Sequence, residues 1–427
     1  MNPHRPRVGP SVPRPSRRDF LRRSAGAAIA LPSLAAILAA CQERSDGGGG
    51  NGGGGATGPG LASPDNPITL PLTEENPPIA DGLSPEAGPL RVFNWNDYVY
   101  KKVLKRFEDE YGVEIEYTPF TGMSEAISKI QNDAVEFDVF FPTIDHVRDL
   151  AVAQEIQPLN RSYLPNMTSN AWPQLLDPFY DQGGSYTAPY LTWTTGVGYR
   201  RDLVDTDPSG DFTQAFDLFW DPTYRGQVGV IDEYRDTMAM ALLHAGFDDV
   251  NTTDPAEIER ARDDLLDLID AVAVNTALAD YEALGEGIHA LRYAWSGNMN
   301  YTRYYLPNGT GPEVLGYYVP PGSVVNNDVI VVAKDAANPV LAHAFIDFLF
   351  DRENALDNFG YEGYQPPLTG VETGEWLERG FIPENLQTTL VTEQHFEDGR
   401  QIVELPADAD QMWQDAWAQF KAGVRSS

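Results

Sequence analysis

The sequence predicts an α/β fold of two lobes. Strand-like and helix-like segments alternate from near residue 90 onward, the stretch of globular composition spans about 340 residues, and an extended run at 186–204 is long enough to leave one lobe and enter a second.

The N-terminal portion is unlike the rest. Residues 1–40 carry seven Arg and one Asp, with the twin-arginine pattern Ser16-Arg17-Arg18-Asp19-Phe20-Leu21 ahead of an apolar run at 25–40. That run is shorter than the ~20 residues a spanning helix needs, and it ends in small residues before Cys41. A Tat-type lipoprotein signal cleaved before Cys41 is expected. Cys41 is the one cysteine of the chain, which excludes an intramolecular disulfide and a cysteine-based metal cluster. Lipidation gives it a role, and several acyl chains would hold the protein at a membrane surface. Residues 41–87 then read as the lipidated cysteine and a disordered Gly/Pro-rich tether, with glycine from 47 to 55 broken only by Asn51.

The formal charge is −33, and without residues 1–40 it falls to −39, from 23 basic and 62 acidic residues. Phosphate binding needs a basic face, so nucleic acid is not an expected partner. Most of these carboxylates read as solvated surface, and those at strand ends are the candidates for a site.

Residues 91–94 read as a short buried strand, followed at helical spacing by Val99, Val103, Leu104, Phe107 and Tyr111. The turn between them holds Trp95, Asn96, Asp97 and Tyr98, where open α/β sheets bind ligands. A ring face, a carboxylate and a phenol on one turn suit an organic cation. The plainer role for Trp95 and Tyr98 is as core aromatics. Residues 113–117 alternate as a strand, 124–131 suit a helix, and 137–141 form a buried strand stopped by Pro142. Thr143 and Asp145 follow at its carboxyl end, where Asp145 also stands as a helix N-cap. If the strands are parallel, this turn and the Trp95 turn open on one edge of the sheet.

In the second lobe, residues 227–231 form a strand after the turn at 220–226. Glu233 and Asp236 fall just before or within the first turn of a helix marked by Met238, Leu242 and Leu243. There a carboxylate complements the helix dipole as readily as it binds a ligand. Residues 255–268 form a surface helix capped by Thr253 or Asp254, and 288–296 a strand ending in Trp295-Ser296-Gly297-Asn298. Residues 328–332 are an apolar strand with Asp328 at its start, 339–350 a helix, and 409–422 a helix with Met412, Trp413, Trp417 and Phe420 as a core stripe.

Taken in order, Asn94-Trp95-Asn96-Asp97-Tyr98, Phe137-Asp138-Val139 with Pro142-Thr143, Tyr186-Thr187-Ala188-Pro189-Tyr190, Trp220 to Gly226, Ala294-Trp295-Ser296-Gly297 and Gly360-Tyr361 carry a resemblance. Residues 88–425 resemble the extracytoplasmic solute-binding proteins of polyamine ABC transporters, the spermidine/putrescine-binding family. The resemblance implies a type II periplasmic-binding-protein fold, two α/β lobes joined by crossing hinge strands with the ligand in the cleft. Lobe 1 would comprise 88–193 and 328–373, and lobe 2 194–327 and 374–427. The ligand set it implies is Trp95, Asn96, Asp97, Tyr98, Thr143, Glu233, Asp236, Trp295, Asp328 and Tyr361, with Tyr364 close enough to leave the late tyrosine open. Three positions depart from the family: Asn326 stands for a tryptophan, Asp145 for an aromatic, and the late amide contact has no clear match, with Gln401 and Glu404 as the two candidates.

Physical chemistry agrees with the resemblance. A polyamine is a methylene chain with a charge at each amine, and Asp97, Asp145, Glu233, Asp236 and Asp328 more than balance a di- or triamine. The expected protein captures spermidine or putrescine, delivers it to an ABC transporter permease, acts as a monomer and needs no cofactor or metal. A surface-tethered hydrolase fits less well, because the chain has no Gly-x-Ser-x-Gly elbow and its six histidines show no His-x-x-x-His spacing. No Walker A loop is present, so any ATPase is a separate chain. A binding protein for another cation, a sugar or an amino-acid derivative is the alternative.

Overall fold

The structure, a computed structural model, describes residues 59–206, 208, 212–278 and 281–424. The signal segment, Cys41 and the glycine run lie outside the described residues.

Ten strands follow in chain order: β1 (Leu90–Trp95), β2 (Ile115–Phe120), β3 (Val139–Phe140), β4 (Ile156–Gln157), β5 (Ala188–Arg200), β6 (Val228–Ile231), β7 (Asn275–Ala277), β8 (Leu291–Trp295), β9 (Leu315–Tyr318) and β10 (Val325–Ala333). Their order is β2-β1-β3-β10-β5-β8-β6-β7, with β4 added to β10 and β9 to β5. β1 pairs in parallel with β2 and β3, and β6 in parallel with β7 and β8. These are the strand-helix units that the alternation predicts, because parallel neighbours need a crossover segment between them.

β5 and β10 belong to both halves. Residues 188–194 of β5 pair antiparallel with β10, and residues 195–199 pair with β8. Beyond Ile330, β10 continues against β3 and β4. Two crossing strands thus join a lobe with a core around Val92, Phe107, Phe141 and Phe345 to one with a core around Val230, Leu242, Leu265 and Trp413. The C-terminal helix Ala407–Gly423 buries Trp413 and Phe420, as its stripe predicts. Among the described residues, no helix is long and apolar enough to cross a membrane.

Asp328 does not begin its strand. β10 starts at Val325, because Asn326 and Asn327 are buried with their amides donating to the Ile402 carbonyl (3.0 Å) and the Tyr180 hydroxyl (2.9 Å). The register shifts between Asn327 and Val329, and Asp328 bridges instead to Thr143. Such a bulge re-aims a side chain out of the regular alternation. The segment after residue 373 runs along several clusters of the fold. Trp376 and Ile382 pack with Leu356 and Phe359, whereas Leu386 packs with Leu284, Ala294 and Met299. Val391 then packs with Trp172 and Leu175, so the segment after residue 373 touches both lobes in turn.

Residues 59–87 are not a tether. Ile68 and Leu70 are buried, and Ile68 exchanges backbone hydrogen bonds with Phe179 and Gln182. Tyr186 donates its hydroxyl to the Pro71 carbonyl (2.6 Å), and Asn76 donates its amide to the Ile156 carbonyl (2.8 Å). Glu86 accepts from the amides of Val340 and Leu341, satisfying two free donors at the start of the helix Pro339–Leu349. Average composition hides this, since a Pro-rich strap needs only a few apolar anchors when the body of the fold supplies its backbone partners.

Candidate functional site

Asp328 is 4% exposed. One oxygen, Oδ2, accepts the Tyr98 hydroxyl at 2.5 Å, and Oδ1 has no partner. A half-satisfied buried carboxylate is costly unless a cation completes it. Burial pushes its carboxyl up to about 8, the Tyr98 hydroxyl pulls the other way, and the charges of Asp145 and Asp236 add to the rise.

The second lobe brings its own acids to this point. Asp236 accepts from Trp295 Nε1 at 2.8 Å and from Thr195 Oγ1 at 3.4 Å. Burial raises it to about 6. Glu233 precedes the helix Tyr234–His244 without capping it, and burial, followed by the charges of Asp236, Asp145 and Asp232, raises it to about 8. Neither residue caps a helix, and Asp145 makes no capping bond either. It lies in the short turn Ile144–His146, 3.7 Å from His146 Nε2, and its charge weighs on Glu233, Asp236 and Asp328 together.

Ring faces stand among these acids. The Tyr98 ring lies edge-on to Tyr190 and Tyr364, each at 5.5 Å, and the Tyr190 hydroxyl donates to the Tyr98 carbonyl at 2.6 Å. Trp95 is half-buried beside it, with Nε1 donating to the Phe141 carbonyl at 3.1 Å. Thr143 flanks Asp328 through their bridge.

The rest of the Trp95 turn points elsewhere. Asp97 has φ 55°, a left-handed conformation that Asp tolerates, and it lies exposed with Asn96, whose amide it accepts at 2.9 Å. Tyr361 goes with them. Its ring stacks on Tyr100 at 4.5 Å, and its hydroxyl rises through burial and then through the charge of Asp97. Tyr364 faces Tyr98 instead, its hydroxyl donating to Asn298 Oδ1 at 2.9 Å.

Glu404 is engaged by Arg148, which donates Nε at 2.8 Å to one oxygen and Nη2 to the other. That ion pair ties the helix Val147–Val152 to a segment whose Ile402 and Leu405 lie in the second core. Gln401 offers its backbone carbonyl to Asn251 (2.8 Å). One acid escaped the sequence reading. Glu362 is 4% exposed, with Oε1 accepting from Asn358 and Oε2 unpartnered, and burial followed by the Asp328 charge holds its carboxyl well above the usual range. It ends a helix, Arg352–Glu362, that has no clear apolar stripe. Among the described residues, no group of three His, Cys, Asp or Glu could hold a metal ion.

These raised acids set a pH dependence. Between the ordinary carboxylate range and about pH 8 the folded chain binds protons that the unfolded chain has released. The stability they contribute is full below about pH 4 and is lost as pH rises through their folded values. Above pH 7, where histidine at its ordinary value is largely neutral, Asp328 and Glu233 remain to titrate. The ligand-free protein should therefore melt at a lower temperature at pH 8.5 than at pH 7, and a bound dication should narrow the gap. Thermal unfolding with and without putrescine checks this, and a melting point that rises across that interval would refute it.

Two α/β lobes on crossing strands, with an incompletely paired acid and ring faces where they meet, define a solute-binding protein. The chain belongs to the bacterial extracellular solute-binding proteins, which residues 102–381 match. It is a binding protein and not an enzyme. It is 31% identical over 272 residues to the putrescine/cadaverine-binding protein of Pseudomonas aeruginosa, covering 63% of this chain and 76% of that protein. It is 29% identical over 280 residues to the spermidine/putrescine-binding periplasmic protein of Escherichia coli, covering 65% and 77%. Among solved structures, the spermidine/putrescine ABC transporter substrate-binding protein of Streptococcus pneumoniae matches 79% of this chain and 99% of its own, with a TM-score of 0.64 at 23% identity. A lipoprotein of Treponema pallidum matches 78% and 98%, with a TM-score of 0.64 at 19% identity. The fold is the type II periplasmic-binding-protein fold.

Proposed function

We propose that this protein captures a linear polyamine, of the putrescine or spermidine type, between its lobes and hands it to the permease of an ABC transporter. It does so as an exported monomer held at the outer face of the cytoplasmic membrane, or in the periplasm, by lipidated Cys41. The observation that carries the reading is Asp328, a buried carboxylate with one oxygen open and the other accepting the Tyr98 hydroxyl, coupled by charge to Asp236 of the other lobe. An alkylammonium chain complements that pattern. Each carboxylate contact contributes about 1.5 to 3 kcal/mol and each ring face roughly 0.5 to 2 kcal/mol. The ligand set is Trp95, Tyr98, Thr143, Asp145, Glu233, Asp236, Trp295 and Asp328, with Tyr364 as the late tyrosine; Asn96, Asp97 and Tyr361 form its outer edge. The relatives named for putrescine, cadaverine and spermidine support the ligand class, and the lipoprotein of similar fold supports the anchor.

A thermal-shift series tests the ligand. Putrescine, cadaverine and spermidine should raise the melting point with the logarithm of ligand concentration over Kd, and sugars and amino acids should not. A response to a sugar or amino acid without any response to amines would overturn the polyamine reading. For the anchor, Cys41→Ser should leave affinity unchanged and move the protein out of the membrane fraction. A cleaved Cys41→Ser protein that stays in that fraction would refute lipid attachment.

A further inference from the structure

Outside the inner cluster, one lysine is held in the way an alkylammonium ligand would be. Lys421 Nζ donates to Asp232 Oδ1 at 2.7 Å and to Thr276 Oγ1 at 2.8 Å, and it lies 5.7 Å from the centre of the Trp417 ring. Carboxylate, hydroxyl and ring face together are what a primary ammonium requires. Lys421 is one helical turn from Trp417 on the helix Ala407–Gly423 and is 33% exposed, so it can leave without disturbing a core.

Beside this arrangement lies a cavity of about 540 Å³. Its walls are Thr121, Gly122 and Glu125 from the first lobe, and Asp232, Glu233 and Trp417 from the second. Its size falls in the ordinary range for small-molecule sites. Glu233 belongs to the cavity wall and is also coupled by charge to Asp236 and Asp145 of the inner cluster. Glu233 is thus the residue the cavity and the inner acids share.

We propose that Asp232 and Trp417 form an outer ammonium subsite that Lys421 occupies when no long ligand is bound, so that Lys421 sets the length of cation the protein accepts. The inference rests on the polyamine reading. A diamine held at the inner acids leaves Lys421 in place. A longer polyamine must displace the lysine before its distal ammonium reaches Asp232.

The test is Lys421→Met, which keeps the stem and removes the competing charge. Calorimetric titration with putrescine, spermidine and spermine compares the variant with the unmutated protein in low salt and in about 0.5 M salt, where distant charges are screened. Spermine affinity should rise about tenfold in both conditions, putrescine affinity should stay within about twofold, and adding Asp232→Asn should remove the gain. No gain for spermine, the same gain for all three amines, or a gain that vanishes in high salt overturns the subsite. If the unmutated protein binds putrescine and the spermine gain is absent, only the subsite is wrong. If none of the amines binds any of the proteins, the polyamine reading fails with it.

Discussion

Asp328→Asn should bind putrescine and spermidine about ten- to 150-fold more weakly than the unmutated protein, a cost of about 1.5 to 3 kcal/mol. The amide keeps the shape and can still accept the Tyr98 hydroxyl, but it removes the charge whose second oxygen is left open. The same change should leave the ligand-free protein at least as stable at pH 8.5, because a buried carboxylate pressed by Asp145 and Asp236 is no longer ionised there. Trp295→Ala should lose a similar amount with less sensitivity to salt, since its ring face carries no net charge. Asp221→Asn is the control. Asp221 accepts the Thr223 amide at 2.8 Å in the turn Pro222–Tyr224, away from the cleft acids. Titration calorimetry and melting curves on the three variants decide the matter, and full affinity in both Asp328→Asn and Trp295→Ala would remove these residues from the site.

Deleting residues 59–87 should cost several kcal/mol of stability, whereas deleting everything before residue 59 should leave the melting point nearly unchanged. Leu70 is 1% exposed, and Leu70→Ala alone should cost about 2 to 5 kcal/mol through lost burial and the cavity left behind. Glu86→Ala should cost about 1 kcal/mol more, because the Val340 and Leu341 amides lose their acceptor. Chemical denaturation of these forms measures each step. A protein lacking 59–87 that unfolds at the same denaturant concentration would return the segment to the role of a tether.

Much of the architecture was legible because it is written in local periodicity. The alternation of 91–94, 113–117 and 227–231 with the runs at 99–111 and 238–243 foretold parallel strand-helix units, and the Trp413 and Phe420 spacing foretold a buried helix face. The residue types on the Trp95 turn marked it as a candidate site. Local pattern could not say which of those residues turns inward. The left-handed backbone at Asp97 sets that, sending Tyr98 to Asp328 and leaving Asn96 and Asp97 outside. It also could not show that Tyr364 and not Tyr361 meets the Tyr98 ring, find Glu362, or see that Arg148 engages Glu404 and that residues 59–87 wrap the body. Those outcomes depend on partners far apart in the chain, 230 residues for Tyr98 and Asp328 and 256 for Arg148 and Glu404. Amphipathic spacing reports only whether a side chain faces a core. The bulge at Asp328, and the burial that leaves its second oxygen unpaired, arise when β5, β10 and the Tyr98 turn pack against one another, and only tertiary structure brings them together.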